Sequence, residues 1–213
     1  MSARTLAFVC LLLSLCSAAP APAASPESRP LFVYLSPGSN RNAPELDFMR
    51  SEANALMRAL GYRLEWRILG AEPAETVPEL IIVTLSGNCT APRTPQVAAD
   101  GPLGGFSLAS TATVAGSVLP FSDIHCAALT RSLAPAFAGT APAERAFLYG
   151  RAMGRVLVHE FYHFLDQTRS HTAEGVGKAA FDLADLTANR PLSWLTASTP
   201  MPAASSESSA DVR

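Results

Sequence analysis

Residues 158–163 read Val-His-Glu-Phe-Tyr-His, an H-E-x-x-H pattern. On an α-helix, positions i and i+4 share a face. His159 and His163 can therefore point two imidazoles at one metal ion. Glu160 sits one residue along, where it can reach a water on that ion without ligating it. A carboxylate so placed can take a proton from water as the water attacks a carbonyl. The chain holds only four histidines, His125, His159, His163 and His171, and three of them fall between positions 159 and 171. So few histidines make a chance occurrence of the pattern uncommon.

A catalytic zinc site takes three protein ligands and leaves one position open for water. The third ligand must come from beyond the helix. His171 ranks first, because imidazole is a common zinc ligand and Thr168-Arg169-Ser170 gives the chain room to turn back. Glu174 ranks second, and Asp182 or Asp185 third. Asp166 lies one turn after His163, where it could orient a ligand imidazole from behind. Tyr149 and Tyr162 read as packing or helix-surface residues, and His125 as structural or surface.

The elements that must position these groups follow from spacing. The motif helix opens at Thr140-Ala141-Pro142-Ala143-Glu144, runs through Phe147, Leu148, Met153, Val156 and Leu157, and ends near Gln167. Gly150 and Gly154, four apart on one face, predict close packing against the sheet or another helix. That other helix starts with Asn42 as cap, Pro44 in the first turn and Glu45 after it. Leu46, Met49, Ala53, Leu56, Met57 and Leu60 recur at helical spacing, and Gly61 stops it. Met49 and Met57 fall on the apolar stripe and read as core. Strands are expected over residues 31–35, 64–68, 79–85, 104–110 and 117–121, with a turn at Ala115-Gly116. Gly104 and Gly105 mark the fourth as an edge or a bulge. Residues 122–133 read as a short helix or an irregular crossing, and 181–186 as a last helical turn or two. Together these make one α+β domain over residues 25–190, a mixed sheet with helices packed on it.

The chain has 213 residues, 48% hydrophobic and 16% charged, with a formal net charge of −2. That balance offers no electrostatic case for nucleic acid or an anionic membrane. Arg4, the apolar run 6–15 and the small residues Ser17-Ala18-Ala19 and Ala21-Pro22-Ala23 read as a signal peptide over residues 1–24. The run is too short for a stable membrane anchor, so the expectation is an exported protein, periplasmic or extracellular. Cys10 and Cys16 lie in that segment. Cys89 and Cys126 remain, an even pair in an oxidising compartment, and a disulfide between them is expected. Residues 191–213 are rich in Ser, Ala and Pro and read as a disordered tail.

The order strand, helix, strand, strand, edge strand, strand, helix, with His159-Glu160-Phe161-Tyr162-His163 in the last helix, resembles the minimal zincin metallopeptidase core. The resemblance covers roughly residues 31–181. Within it, residues 159–178 are similar to a group of small exported bacterial zincin-like proteins. These carry H-E-x-x-H, seven intervening residues, a further His, and then Gly followed by an apolar and a basic residue. The matching tail here is His171-Thr172-Ala173-Glu174-Gly175-Val176-Gly177-Lys178. The resemblance implies a mainly parallel sheet with an antiparallel edge strand, packed against two long helices. It also implies Zn2+ on His159, His163 and His171, and Glu160 as general base. A peptide or protein substrate would pair along the edge strand, and the protein would act as a monomer. Two positions depart from the related metzincins. Asp166 stands where they place a turn glycine, and Gly177 stands where a methionine would floor the metal. Gluzincins draw a Glu from a later helix, and Phe181 to Asp185 offers only Asp there. These departures keep an alternative open: a catalytically inactive zincin-like domain that binds metal or peptide.

Overall fold

The computed structural model describes residues 28–71, 76–94, 107–190 and 192–193. The expected signal segment, the Gly104-Gly105 pair and nearly all of the expected tail lie outside the described residues. The elements are β1 (Arg29–Ser36), α1 (Pro44–Arg58), β2 (Tyr62–Ile68), β3 (Leu80–Ser86), β4 (Ala109–Val114), β5 (Ser117–His125), α2 (Cys126–Leu133), α3 (Pro142–Leu165) and α4 (Leu183–Thr187).

Alternation decides which side of the sheet is dry. Leu31, Val33 and Leu35 of β1 and Ile81 and Val83 of β3 are fully buried, and they share the face covered by the helices. The strands run in the order β2-β1-β3-β5-β4. Every neighbouring pair is parallel except β4 and β5, which are antiparallel. The described chain is therefore α+β, with a mixed, mainly parallel sheet, an antiparallel edge strand and two long helices packed on it, as expected.

Three boundaries differ from the expectation. The described edge strand is Ala109–Val114, where 104–110 was expected, because Thr111, Thr113 and Val114 are β-branched and pair with β5. β5 continues to His125 before α2 begins, so residues 122–125 are strand and not a crossing. Asn42 does not cap α1. Ala43 takes that position without a side-chain hydrogen bond. Glu45 closes no capping box either: its Oε1 accepts from the Ala91 N–H at 2.9 Å and holds the loop after β3. Asn40 holds the same loop, accepting from Cys89 N at 2.9 Å and donating to the Gly87 carbonyl at 3.1 Å. Cys89 and Cys126 form the expected disulfide, closing a sequence separation of 37. Loop closure of that length stabilises by about 4 kcal/mol on chain-entropy grounds.

Gly150 and Gly154 explain how close the two helices come. A Cβ at Gly150 would lie 2.4 Å from Phe48 Cβ and 2.5 Å from the Glu45 carbonyl. One at Gly154 would lie 2.8 Å from both Glu52 Cβ and the Met49 carbonyl. The glycine face thus packs on α1. Buried Arg155 binds the next layer. Its Nε donates to Glu52 Oε1 at 2.7 Å, and its two Nη atoms donate to the carbonyls of Asp185, Ala188 and Arg190 at 2.5, 2.8 and 2.6 Å. Arg151 adds bonds to the Thr187 and Ala188 carbonyls at 3.1 and 3.2 Å. A five-residue helix leaves most of its carbonyls without a partner, and these arginines supply donors to the C-terminal ones. Helix α3 therefore fixes α4 as well as α1.

Alanine is the better helix former by about 1 kcal/mol, yet at position 150 the clash outweighs it. Gly150→Ala is expected to lower stability by about 2 kcal/mol and the thermal midpoint by roughly 4–8 °C, as read by calorimetry.

Candidate metal centre

His159 and His163 stand on the C-terminal half of α3, one turn apart, as their spacing requires. Their Nε2 atoms are 3.1 Å from each other. The opposite nitrogen of each ring is spoken for. His159 Nδ1 lies 2.6 Å from the Val176 carbonyl, and His163 Nδ1 lies 2.8 Å from the Thr168 carbonyl. A carbonyl only accepts, so both Nδ1 atoms carry the proton and donate. In the neutral rings, both Nε2 atoms then present bare lone pairs to each other. Two lone pairs at this distance repel each other, and a cation placed between them would relieve that repulsion.

Burial argues against a proton as that cation. It lowers the His159 pKa to about 4, with His163 and His171 adding to the effect and the Val176 carbonyl opposing it. The His163 pKa is lowered too, first by burial. A metal ion fits better. Ligand nitrogens on a tetrahedral zinc at bond lengths of about 2.0–2.1 Å sit roughly 3.3 Å apart, close to the spacing found. His171 completes the set: one ligand atom from each of His159, His163 and His171 lies within 4.8 Å of the others. Its ring stacks on His159 at 5.4 Å and meets His163 edge-on at 4.9 Å.

The other expected ligands stand apart from this group. Asp182 and Asp185 cap α4 reciprocally and both pair with Lys178, at 3.3 and 2.5 Å. Glu174 is exposed, and its carbonyl accepts from Thr172 Oγ1 at 2.7 Å. Asp166 does not orient a ligand imidazole, because carbonyls 168 and 176 hold both Nδ1 atoms. His125 is not one of the clustered histidines: its Nδ1 lies 3.0 Å from the Ser107 carbonyl, although its charge acts on Glu160. Tyr149 is fully buried and donates to the Cys126 carbonyl at 3.0 Å, a packing role that pushes its pKa up to about 12. Tyr162 packs against the His163 ring at 5.4 Å.

Glu160 lies beside the histidines and is 4% exposed. Burial raises its pKa to about 6, against the pull of a Thr111 hydroxyl that donates to its Oε2 at 2.6 Å. Thr111 belongs to β4. No signal in the sequence singled it out, since threonine in a strand is ordinary. The two carbonyls behind the histidines were equally hidden, because every residue has one.

These groups open onto a groove of about 920 Å³. Ala109, Thr111 and Thr113 of β4 form one wall, and Phe181, Leu183 and Leu186 form another. Clustered imidazole nitrogens, an adjacent buried carboxylate and a groove large enough for a peptide segment suit metal-assisted hydrolysis. No protein-family model matches the chain, and no curated protein or solved structure matches it.

Titration of metal-free protein with zinc, followed by calorimetry, is expected to show one equivalent bound and a rise in thermal midpoint. His159→Ala and His163→Ala should each abolish tight binding, and His171→Ala should weaken it. Affinity should fall with pH as protons compete for the imidazoles.

Proposed function

We propose that this protein is an exported zinc-dependent peptidase that uses Glu160 as general base and His159, His163 and His171 as metal ligands. The observation that carries the reading is the pair of Nε2 lone pairs facing each other at 3.1 Å, with a carboxylate next to them in an open groove. Three imidazole nitrogens with a fourth position free favour zinc. Zinc held there would lower the pKa of a water and polarise a substrate carbonyl.

The chain's own residues do the rest. With Oε2 of Glu160 taken by Thr111, Oε1 is left to accept the proton of the attacking water and return it to the leaving amine. β4 lies at the end of the sheet among the described residues and borders the groove, so its outer edge can receive an extended peptide as an added strand. The disulfide supports export, and no described helix is long and apolar enough to cross a membrane.

A second reading is a zincin-like domain that binds metal or peptide without turnover. His171 favours it. The ring is exposed and has no hydrogen bond among the described residues, so the third ligand is held less firmly than the other two.

Glu160→Gln separates these readings. It should retain one zinc per chain and lose hydrolysis of a fluorogenic peptide library by at least about 100-fold. Zinc-loaded wild type with no turnover across that library would leave the binding domain. The base must also be ionised to work. Burial raises Glu160 to about 6 even against the Thr111 hydroxyl and His125, and a bound dication would pull it down. The rate kcat/KM should therefore fall as pH falls, with its acidic limb at or below pH 6.

A further inference from the structure

The strand that borders the groove also touches the base. Thr111 Oγ1 is 2.6 Å from Glu160 Oε2 and 3.1 Å from Ser122 Oγ. An ionised carboxylate only accepts, so the single hydroxyl proton of Thr111 goes to Glu160. Ser122 must then donate to Thr111. Ser122 is 4% exposed, and it is the cross-strand partner of Thr111 on β5. The result is a directed chain, Ser122 to Thr111 to Glu160, with both ends buried.

The local sheet geometry holds Thr111 in this place. Ser110 and Thr111 pair with Asp123 and Ser122, whereas Thr113 and Val114 pair with Val118 and Ser117. Residues 119–121 therefore oppose Ala112 alone. Pro120 sits in that bulge, where it has no N–H to contribute to the ladder. A bulge bends and twists a strand pair locally, and such features re-aim side chains beside functional sites. Thr111 is the last regularly paired residue before the irregularity, and its side chain points at α3.

We propose that Thr111 is a positioning residue for Glu160: its hydroxyl, oriented by Ser122, fixes one carboxylate oxygen so that the other faces the metal centre. The proposal rests on the peptidase reading for its kinetic consequence and on geometry for the rest. It also ties the base to the strand that would receive the substrate, so disorder in β4 would be felt at Glu160 without any change in the histidines.

The test uses zinc-loaded full chain as wild type, Thr111→Val and Thr111→Ser. Valine keeps the β-branched shape and removes only the hydroxyl. Thr111→Val should keep one zinc and an unchanged KM while kcat falls by about 10–100-fold. Thr111→Ser should restore most of that loss. Crystal structures of the three should show Glu160 in one rotamer in wild type and Thr111→Ser, and displaced or split in Thr111→Val. An unchanged kcat with Glu160 unmoved in Thr111→Val would overturn the proposal. So would a rise in KM alone, or a Thr111→Ser variant as impaired as the valine. If wild type hydrolyses nothing, the peptidase reading falls by itself, and the rotamer of Glu160 in the three structures still decides the role of Thr111.

Discussion

Two imidazole nitrogens 3.1 Å apart, each unprotonated because a carbonyl holds the proton on the far side of its ring, set the terms for the segment after α3. The carbonyls of Thr168 and Val176 must arrive at fixed points, so residues 166–178 cannot be an arbitrary loop. Gln167 turns the chain with φ of 46°, and its side chain donates to the Phe164 carbonyl at 2.8 Å. Thr172 N then donates to the Gly177 carbonyl at 2.8 Å, which closes a small turn just after His171. Val176 is buried, and its N–H donates to the Ser193 carbonyl at 3.0 Å. The residue whose carbonyl aims His159 is thus held on both sides. A neutral tautomer chosen by backbone in this way is what a metal ligand requires.

The two halves of α3 carry different burdens. The N-terminal half is glycine where α1 presses closest, and arginine where α4 needs donors. The C-terminal half carries the site. Burying Arg151 and Arg155 beside one carboxylate, Glu52, is a poor way to gain stability, since desolvation of such groups offsets much of their attraction. What it secures is geometry. A five-residue helix has little stability of its own, and the guanidinium bonds to its C-terminal carbonyls hold it against α3. That helix supplies Leu183 and Leu186 to the groove, so distant buried charge fixes the shape of a wall near the three histidines.

Much of this was legible in the sequence, because it depends on side-chain type and period. The core face of β1, the apolar stripe of α1, the glycine pair, the disulfide and the three histidines each announce themselves by identity and spacing. What stayed hidden depends on partners far apart in the chain or on atoms every residue owns. Thr111 and Glu160 are 49 residues apart, and neither names the other. The carbonyls of Thr168 and Val176 leave no trace in composition. Asp166 looked suited to the task they perform, yet a carboxylate on a helix end is easily solvated, while a backbone carbonyl in a closed turn has fewer places to go. The edge strand was expected over residues 104–110, whereas the described strand is Ala109–Val114, and its irregularity lies opposite Ala112 and contains a proline, which pattern alone did not reveal.

Gly177 owes its identity to the space around it. Set against the related pattern, it reads as a missing methionine beneath the metal. In the fold it is a steric requirement. A Cβ there would come within 2.7 Å of Thr172 Oγ1 and 3.1 Å of Tyr162 Cζ. Tyr162 is one residue before His163 and 3% exposed, and its ring occupies the space that a side chain at 177 would need. The two positions therefore belong together: a large aromatic on the helix demands glycine on the returning loop. That glycine in turn lets its carbonyl accept from Thr172 N, beside the third histidine. His159 and His163 are thus placed by α3 and oriented by the Val176 and Thr168 carbonyls, while His171 depends on a turn whose closure is a backbone hydrogen bond.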